Sequence, residues 1–113
     1  MTVDLTWSKS GDCAIIRANG EIDLATVAPF ENALTQSTGR AGAVIVDLSR
    51  VGFLGLVGVR CMSRAHTAAQ KCGAAVHLVQ PPNGPVVLII NASRLCEQLP
   101  VHADLQAALR SVK

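Results

Sequence analysis

The first third of the chain alternates between apolar and polar positions in a way that predicts two strands and a helix. The segments VDLTWSK and CAIIRANG can each alternate as strands, and they flank a polar glycine turn at 10–12, so they predict an opening hairpin. In GEIDLATVAPFENALTQSTG, apolar residues recur at helical spacing, with Asp23 as a candidate N-cap and Gly39 as a stop. Pro29 is compatible with this helix only near the first turn, where its missing N–H costs nothing.

The middle of the chain predicts two buried strands connected by a helix. AVIVDLS is a continuous apolar run that is typical of a strand covered on both faces. A glycine-punctuated turn at 52–58 follows, and then a helix that ends near Gly73. The apolar stripe of this helix consists of Cys61, Met62, Ala65, Ala69 and Cys72. AAVHLV predicts another central strand, in which His77 is a lone imidazole that we interpret as structural, since site chemistry needs partners.

In the last third of the chain, the secondary structure of one segment is not determined by the pattern. VVLIINASRLCEQL starts with five consecutive aliphatic residues, and periodicity does not decide between a strand and a buried helix. ADLQAALRSV predicts a short amphipathic helix with Leu105 and Leu109 facing inward. The order β-β-α-β-α-β-α-α predicts an α/β domain with a mixed sheet of four to five strands and about four helices, mainly on one face.

Composition narrows the function classes. A chain of 113 residues predicts a single domain over 1–113, and a net charge of +2 with scattered Lys and Arg gives little support for nucleic-acid binding. The start of the chain lacks the pattern of a signal peptide, and the apolar run at 86–90 is too short for membrane insertion, so we expect a cytoplasmic protein. Neither a nucleophile–base pair nor a phosphate loop is recognisable, so we expect no enzyme and no cofactor.

The four cysteines show neither a C-x-x-C pair nor histidines at metal-ligand spacing, so no metal site is predicted. The simplest interpretation is buried thiols in a reducing compartment. Redox regulation through Cys61, Cys72 or Cys96 is the alternative, because four thiols are many for so short a chain.

Four segments occur in an order and spacing that is similar to a known family: GEID, VIVDLSRVGFLG, AAVHLV with its proline loop, and LCEQLPV. Together they resemble the STAS domain of bacterial anti-sigma factor antagonists, also called anti-anti-sigma factors, over nearly the whole chain. The resemblance implies a STAS-like fold and makes PVVLIINASRL the third helix. It also implies a partner, namely an anti-sigma factor that is a serine-kinase-like protein. The antagonist binds this partner and so frees a sigma factor for transcription.

In that family the turn before the second helix normally reads Asp-Ser-Ser/Thr-Gly, and phosphorylation of the first serine prevents binding. Here the resemblance places Gly55, Leu56, Val57 and Gly58 at these four positions, so that Leu56 stands at the phosphoacceptor position and cannot be phosphorylated. Ser49 matches the end of the strand, not the acceptor. We therefore expect a regulatory contact that a kinase does not switch at this turn.

The turn without hydroxyl groups has two interpretations. Its aliphatic side chains either form an apolar partner surface or point inward as a decayed motif. The candidate partner-binding residues are Asp23, Leu54, Gly55, Leu56, Val57, Gly58 and Arg60. Asp23 carries two compatible interpretations, namely a partner contact implied by the resemblance and helix capping.

Two further alternatives stay open. Val87 and Leu88 would lie on the outer face of the third helix, where they predict a possible homodimer contact. The chain could also be the STAS subunit of a membrane lipid or anion transport complex, since such relatives commonly lack the acceptor serine.

Overall fold

The computed structural model describes residues 2–40, 42–94 and 97–112. Within these ranges the chain forms a five-stranded mixed sheet with four helices, as the sequence predicts. The strands are β1 (Val3–Ser10), β2 (Cys13–Ile22), β3 (Ala43–Leu54), β4 (Val76–Val79) and β5 (Val101–His102). The helices are α1 (Val27–Ser37), α2 (Leu56–Gln70), α3 (Val87–Ala92) and α4 (Leu105–Ser111).

The strands lie in the order β1-β2-β3-β4-β5, so chain order and spatial order coincide. β1 is antiparallel to β2 in an uninterrupted register, and the other neighbouring strands are parallel. Parallel neighbours require crossover connections, and α1, α2 and α3 provide them. The carboxyl ends of β2 and β3 therefore meet at one edge, together with the start of α2.

The main core lies between the sheet and helices α1, α2 and α3. Phe30 and Leu34 of α1 and Met62 of α2 pack there against Ile16 and Val46 of the sheet. On the opposite face, α4 covers a smaller cluster in which Ala108, Leu105 and Leu109 contact the sheet, so the predicted orientation of this helix is confirmed. The helices thus lie mainly on one face.

The central strand is longer than predicted. Residues 43–48 are buried without interruption, which fits coverage on both faces. The strand then continues through the predicted turn to Leu54, because Phe53 pairs with Glu21 and Leu54 pairs with Ile22 of β2. The predicted turn at 52–58 is therefore wrong in extent. A single residue, Gly55, separates β3 from α2.

The structure decides the conformation of the aliphatic segment and corrects the predicted burial of one cysteine. The aliphatic segment at 87–92 is helical, with Leu88 exposed and Val87 only half-buried. Cys72 lies beyond the end of α2 and is exposed, so its assignment to the buried stripe is wrong. Cys96 lies outside the described residues.

His77 is buried, as predicted, but it is not alone. Its Nδ1 atom lies 3.1 Å from Nε2 of His102 on β5, and the two rings stack. Burial, and then the neighbouring His102, lower the pKa of His77. The sequence pattern missed this pair because a strand of two residues leaves no periodicity to detect.

Candidate functional site

The junction between β3 and α2 is held by main-chain contacts to β2. The N–H of Gly55 donates to the carbonyl of Ile22 over 2.7 Å, and the carbonyl of Gly55 accepts from the N–H of Gly58 over 3.0 Å. A Cβ atom on Gly58 would lie 2.7 Å from Leu54 Cδ1 and 2.8 Å from Ile22 Cγ2. Gly58 is therefore required by the close approach of α2 to the strands.

A second loop, between β2 and α1, lies beside this junction. Asp23 Oδ1 accepts hydrogen bonds from the N–H groups of Ala25 (2.9 Å) and Thr26 (3.1 Å). Thr26 Oγ1 donates to the carbonyl of Glu21 over 2.7 Å and accepts from the N–H of Asp23 over 2.9 Å. Asp23 thus fixes a tight turn. The prediction that Asp23 caps α1 is wrong, because that helix begins at Val27 with Thr26 in the N-cap position.

The two loops together enclose a shallow, open depression of about 550 Å³. We call this surface the apolar corner. It is lined by Asp23, Leu24, Ala25, Phe53, Gly55, Leu56, Val57 and Arg60. None of these eight residues carries a hydroxyl or a thiol. The surface can provide apolar contact area and the two charges of Asp23 and Arg60.

Three large side chains leave much of their surface in solvent at the apolar corner. Leu24 is 83% exposed, Phe53 48% and Leu56 46%. Leu56 is the first residue of α2, so its side chain stands at the open end of the helix. Exposed apolar residues that cluster in this way are typical of interaction surfaces.

The structure brings together five of the seven residues that the sequence proposes for partner binding: Asp23, Gly55, Leu56, Val57 and Arg60. The other two do not reach the surface. Leu54 is 3% exposed in the main core, and Gly58 is buried under the strands. The prediction that Leu54 provides contact area is therefore wrong, because strand alternation turns it towards α2.

The sequence analysis missed Leu24 and Phe53. Phe53 falls in the predicted turn, whereas in the structure it continues β3 and alternates with the buried Leu54. Leu24 gives no separate signal in the sequence, because it precedes Val27 by three residues and so fits the helical spacing of α1. Its exposure follows from the start of the helix at Val27, which leaves Leu24 in the preceding turn.

Ser49 lies elsewhere on the sheet. Its hydroxyl donates to Asp47 Oδ1 over 2.6 Å, and the two residues line a polar depression on the other face, together with Arg17 and Asp4. Arg17 Nε is 3.6 Å from Asp47 Oδ2. Ser49 is therefore not a residue of the apolar corner.

The cysteines differ in environment. Cys61 is buried and its thiol donates to Glu31 Oε2 over 3.3 Å; burial, and then this hydrogen bond, raise the pKa of the Cys61 thiol. Cys72 is exposed. Among the residues that the structure describes, no group of three or more His, Cys, Asp or Glu could hold a metal ion. No described helix is both long and apolar enough to cross a bilayer.

The chain is similar to several proteins that are described as anti-sigma factor antagonists. The anti-sigma-F factor antagonist RsfB of Mycobacterium tuberculosis is 32% identical over 76 residues, which is 66% of this chain and 60% of the relative. The crystal structure of an anti-sigma factor antagonist from Mycobacterium paratuberculosis superimposes with a TM-score of 0.86 at 26% identity, covering 97% of this chain and 93% of that chain. The anti-sigma factor antagonist SpoIIAA of Bacillus, in its unphosphorylated form, gives a TM-score of 0.72 at 19% identity, with 96% of each chain covered.

The region shared with RsfB thus spans about three fifths of that relative's length. The family itself is matched much more completely, because residues 5–108 correspond to the STAS domain. The match agrees with the five-stranded sheet and with the helix that starts immediately after β3. The chain therefore belongs to the STAS domain family.

Proposed function

We propose that this chain is an anti-sigma factor antagonist-like regulatory protein, in which one STAS domain binds a kinase-like anti-sigma factor in the cytoplasm. Binding displaces a sigma factor, which is then released for transcription. The chain acts by contact alone, without catalysis and without a cofactor. Support comes from the antagonists among its relatives and from the apolar corner at the start of α2.

The observation that carries the proposal is the exposure of Leu24, Phe53 and Leu56 at one corner of the fold. Coverage of a fully exposed side chain of this size contributes about 1.5–3 kcal/mol to an association, and Phe53 and Leu56, which are half exposed, would contribute roughly half of that each. A contact that covers all three would be centred on the junction between β3 and α2. Asp23 and Arg60 at the rim then provide orientation more than affinity.

The proposal also specifies how this contact is regulated. Leu56 stands where the resemblance places the phosphoacceptor, and the apolar corner contains no hydroxyl group. A phosphoryl group would place about two negative charges in an apolar contact and oppose binding. Since no acceptor is present, we propose that the contact is permanently available to the partner.

The test is binding of the purified chain to the candidate anti-sigma factors of its own organism, measured by calorimetry. Wild type is compared with Leu56→Asp and with Leu88→Asp, a matched control at an exposed leucine of α3. We expect Leu56→Asp to weaken the complex at least about tenfold, and Leu88→Asp to leave it unchanged. Equal affinity for all three proteins would contradict the proposed surface.

A second measurement addresses phosphorylation. The chain is incubated with its anti-sigma factor, ATP and Mg²⁺, and then analysed by mass spectrometry. We expect no phosphoryl group within residues 53–58. Phosphate found there would refute the constitutive contact while leaving the antagonist assignment intact.

The transporter-subunit alternative is not favoured, because the curated relatives are described as anti-sigma-F factor antagonists. Co-purification with a transporter ATPase in place of an anti-sigma factor would reverse this judgement. The homodimer contact through Val87 and Leu88 stays a prediction. Sedimentation of wild type and Leu88→Glu at high concentration tests it.

A further inference from the structure

A second surface lies at the free edge of the sheet, on β1. This strand has only β2 as a neighbour, and its register with β2 runs from Val3 to Ser10 without a bulge. It also contains no proline. Natural sheets usually protect a long edge with a bulge, a proline or charged side chains, since unpaired N–H and C=O groups attract further strands. Of these three features, β1 has only the charged side chains Asp4 and Lys9.

The hydrogen-bond pattern shows which groups of β1 are unpaired. The N–H of Glu21 donates to the carbonyl of Thr2 over 2.9 Å, and these two residues continue the same antiparallel register. Pairs that exchange hydrogen bonds alternate along an antiparallel ladder. The even-numbered residues of β1 therefore bond to β2, whereas the N–H and C=O groups of Val3, Leu5, Trp7 and Lys9 point towards the free edge.

The side chains of these four residues face α1, and the middle of the edge forms a groove. The groove has a volume of about 340 Å³ and is lined by Trp7, Lys9, Ala14, Ala33, Gln36, Ser37 and Arg40. We call it the edge groove. Trp7 is 54% exposed, yet its ring is fixed because Nε1 donates to Ser37 Oγ over 3.0 Å.

The charged side chains that line the edge groove are all cationic. Lys9 and Arg40 are its only charged residues, and neither forms an ion pair with any described residue. An occupant that offers both apolar area for Trp7 and a carboxylate for the two cations would be complementary to this groove.

A second copy of the chain does not meet this requirement. Residues directly opposite each other in antiparallel strands face the same side of a sheet, so a paired β1 would place its own Val3, Leu5, Trp7 and Lys9 on the groove side. That set contains a cation and no carboxylate. In the antiparallel register that overlaps both strands fully, Val3 and Leu5 of the second copy would lie opposite Lys9 and Trp7, so self-pairing would leave the cations of the edge groove without a carboxylate.

We propose that β1 accepts an extended acidic segment of a partner protein as an additional strand of the sheet. The segment's main chain bonds to the outward N–H and C=O groups of β1. Its alternate side chains enter the edge groove, where an apolar one covers Trp7 and an acidic one pairs with Lys9 and Arg40. This surface is separate from the apolar corner: the Asp23 loop precedes α1, whereas Ser37 is the last residue of that helix.

The proposal is tested with two end-capped peptides, TETVTET and TKTVTKT. They read the same in both directions, so strand polarity does not matter, and each places one valine between two like charges on one face. Trp7 is the only tryptophan of the chain, so its fluorescence reports occupancy of the edge groove directly. At low ionic strength we expect the acidic peptide to bind at least tenfold more tightly than the basic one.

A charge reversal provides the matched comparison. In Lys9→Glu we expect the preference between the two peptides to diminish or invert. In Lys71→Glu, which makes the same change at the end of α2, the preference should persist. Equal binding of both peptides to wild type, or an unchanged preference in Lys9→Glu, would overturn the proposal.

Amide exchange measured by NMR tests the strand addition itself. With TETVTET bound, the amides of Leu5, Trp7 and Lys9 should gain protection, while those of Thr6 and Ser8, already bonded to β2, should change little. A TETVTET peptide N-methylated at its glutamates and valine should lose binding. Three outcomes would each refute the proposal. The first is protection of the β1 amides without this alternation. The others are an equal response to an eight-nucleotide thymidine strand and protection of the same amides by self-association.

Discussion

The main-chain N–H of Val76 donates a hydrogen bond over 3.1 Å to Nδ1 of His66, which connects the start of β4 to α2. This bond requires an unprotonated Nδ1, so the neutral ring carries its proton on Nε2. Nε2 is buried and has no hydrogen-bond partner among the residues that the structure describes. Burial lowers the pKa of His66, in accordance with a ring that must stay neutral in the folded state.

Stability should therefore depend on pH below neutrality. Because the pKa of His66 is lower in the folded chain than its unfolded value of 6.5, the unfolded chain binds more protons as the pH falls. The contribution of His66 to the free energy of unfolding should be constant above that value and should decline as the pH falls from 6.5 through the folded pKa. Urea unfolding at a series of pH values measures this decline.

Two variants show which histidines cause the decline in stability at low pH. His66→Gln keeps a hydrogen-bond acceptor for Val76 but does not titrate, so its decline with pH should be shallower than that of wild type. His77 contributes in the same direction, since burial and His102 lower its pKa too. His77→Gln should therefore also flatten the profile. Wild-type slopes in both variants would contradict the assignment.

Replacement of Gly58 by alanine should destabilise the fold, although alanine is favoured in helices by about 1 kcal/mol. The added Cβ would approach Leu54 Cδ1 and Ile22 Cγ2 to 2.7 and 2.8 Å, and the shift that relieves this overlap costs about 1–3 kcal/mol. The outcome is measured as a lower midpoint of urea unfolding. Gly52→Ala is the control, because a Cβ there would meet only the carbonyl oxygen of Gly20 at 4.0 Å. Stabilisation by Gly58→Ala would show that the packing around this helix turn is looser than described.

The contrast between Leu54 and Leu24 shows how far the sequence determines the site. Apolar periodicity predicted the layered fold, and the order of the motifs predicted the family, because both depend on long-range patterns that tolerate local errors. Exposure at the junction depends instead on where β3 ends, and β3 continues through Phe53 because its last residues pair with β2. Because the strand alternation continues to the end of β3, Leu54 points into the core and Phe53 points to solvent.

Variants at these two leucines should therefore have opposite effects. Leu54→Ala removes a buried side chain and should lower the free energy of unfolding by about 2–5 kcal/mol. Leu24→Asp changes a side chain that is mostly in solvent, so stability should change by less than about 0.5 kcal/mol, while binding to the anti-sigma factor weakens. Urea unfolding and calorimetry on the same preparations separate the two effects. A loss of stability in Leu24→Asp would place Leu24 in the core.

Removal of the Ser37 hydroxyl should loosen Trp7. Ser37 Oγ accepts from Trp7 Nε1 and donates to the carbonyl of Ala33 over 2.8 Å. Ser37→Ala should lower the free energy of unfolding by about 0.5–1.5 kcal/mol and shift the fluorescence of the single tryptophan. Thr35→Ala is the matched control, since Thr35 Oγ1 bonds to the carbonyl of Glu31 in the same helix without contacting Trp7. Identical spectra for Ser37→Ala and wild type would mean that the hydrogen bond does not orient the ring.

The thiols provide the last prediction, because the structure separates two of the cysteines proposed for redox regulation. Cys72 is exposed and should react with iodoacetamide much faster than Cys61, which is buried and has a raised pKa. A disulfide between them would need Cα atoms within about 7 Å. The helical segment from Cys61 to Gln70 alone spans roughly 14 Å, so that bridge cannot form without unfolding the end of α2.

Glu31→Gln removes a negative charge beside the Cys61 thiol and should increase the alkylation rate of Cys61, while the alkylation rate of Cys72 stays constant. Mass spectrometry of labelled peptides over time measures both rates, and a Cys61 that reacts as fast as Cys72 in wild type would restore the redox interpretation.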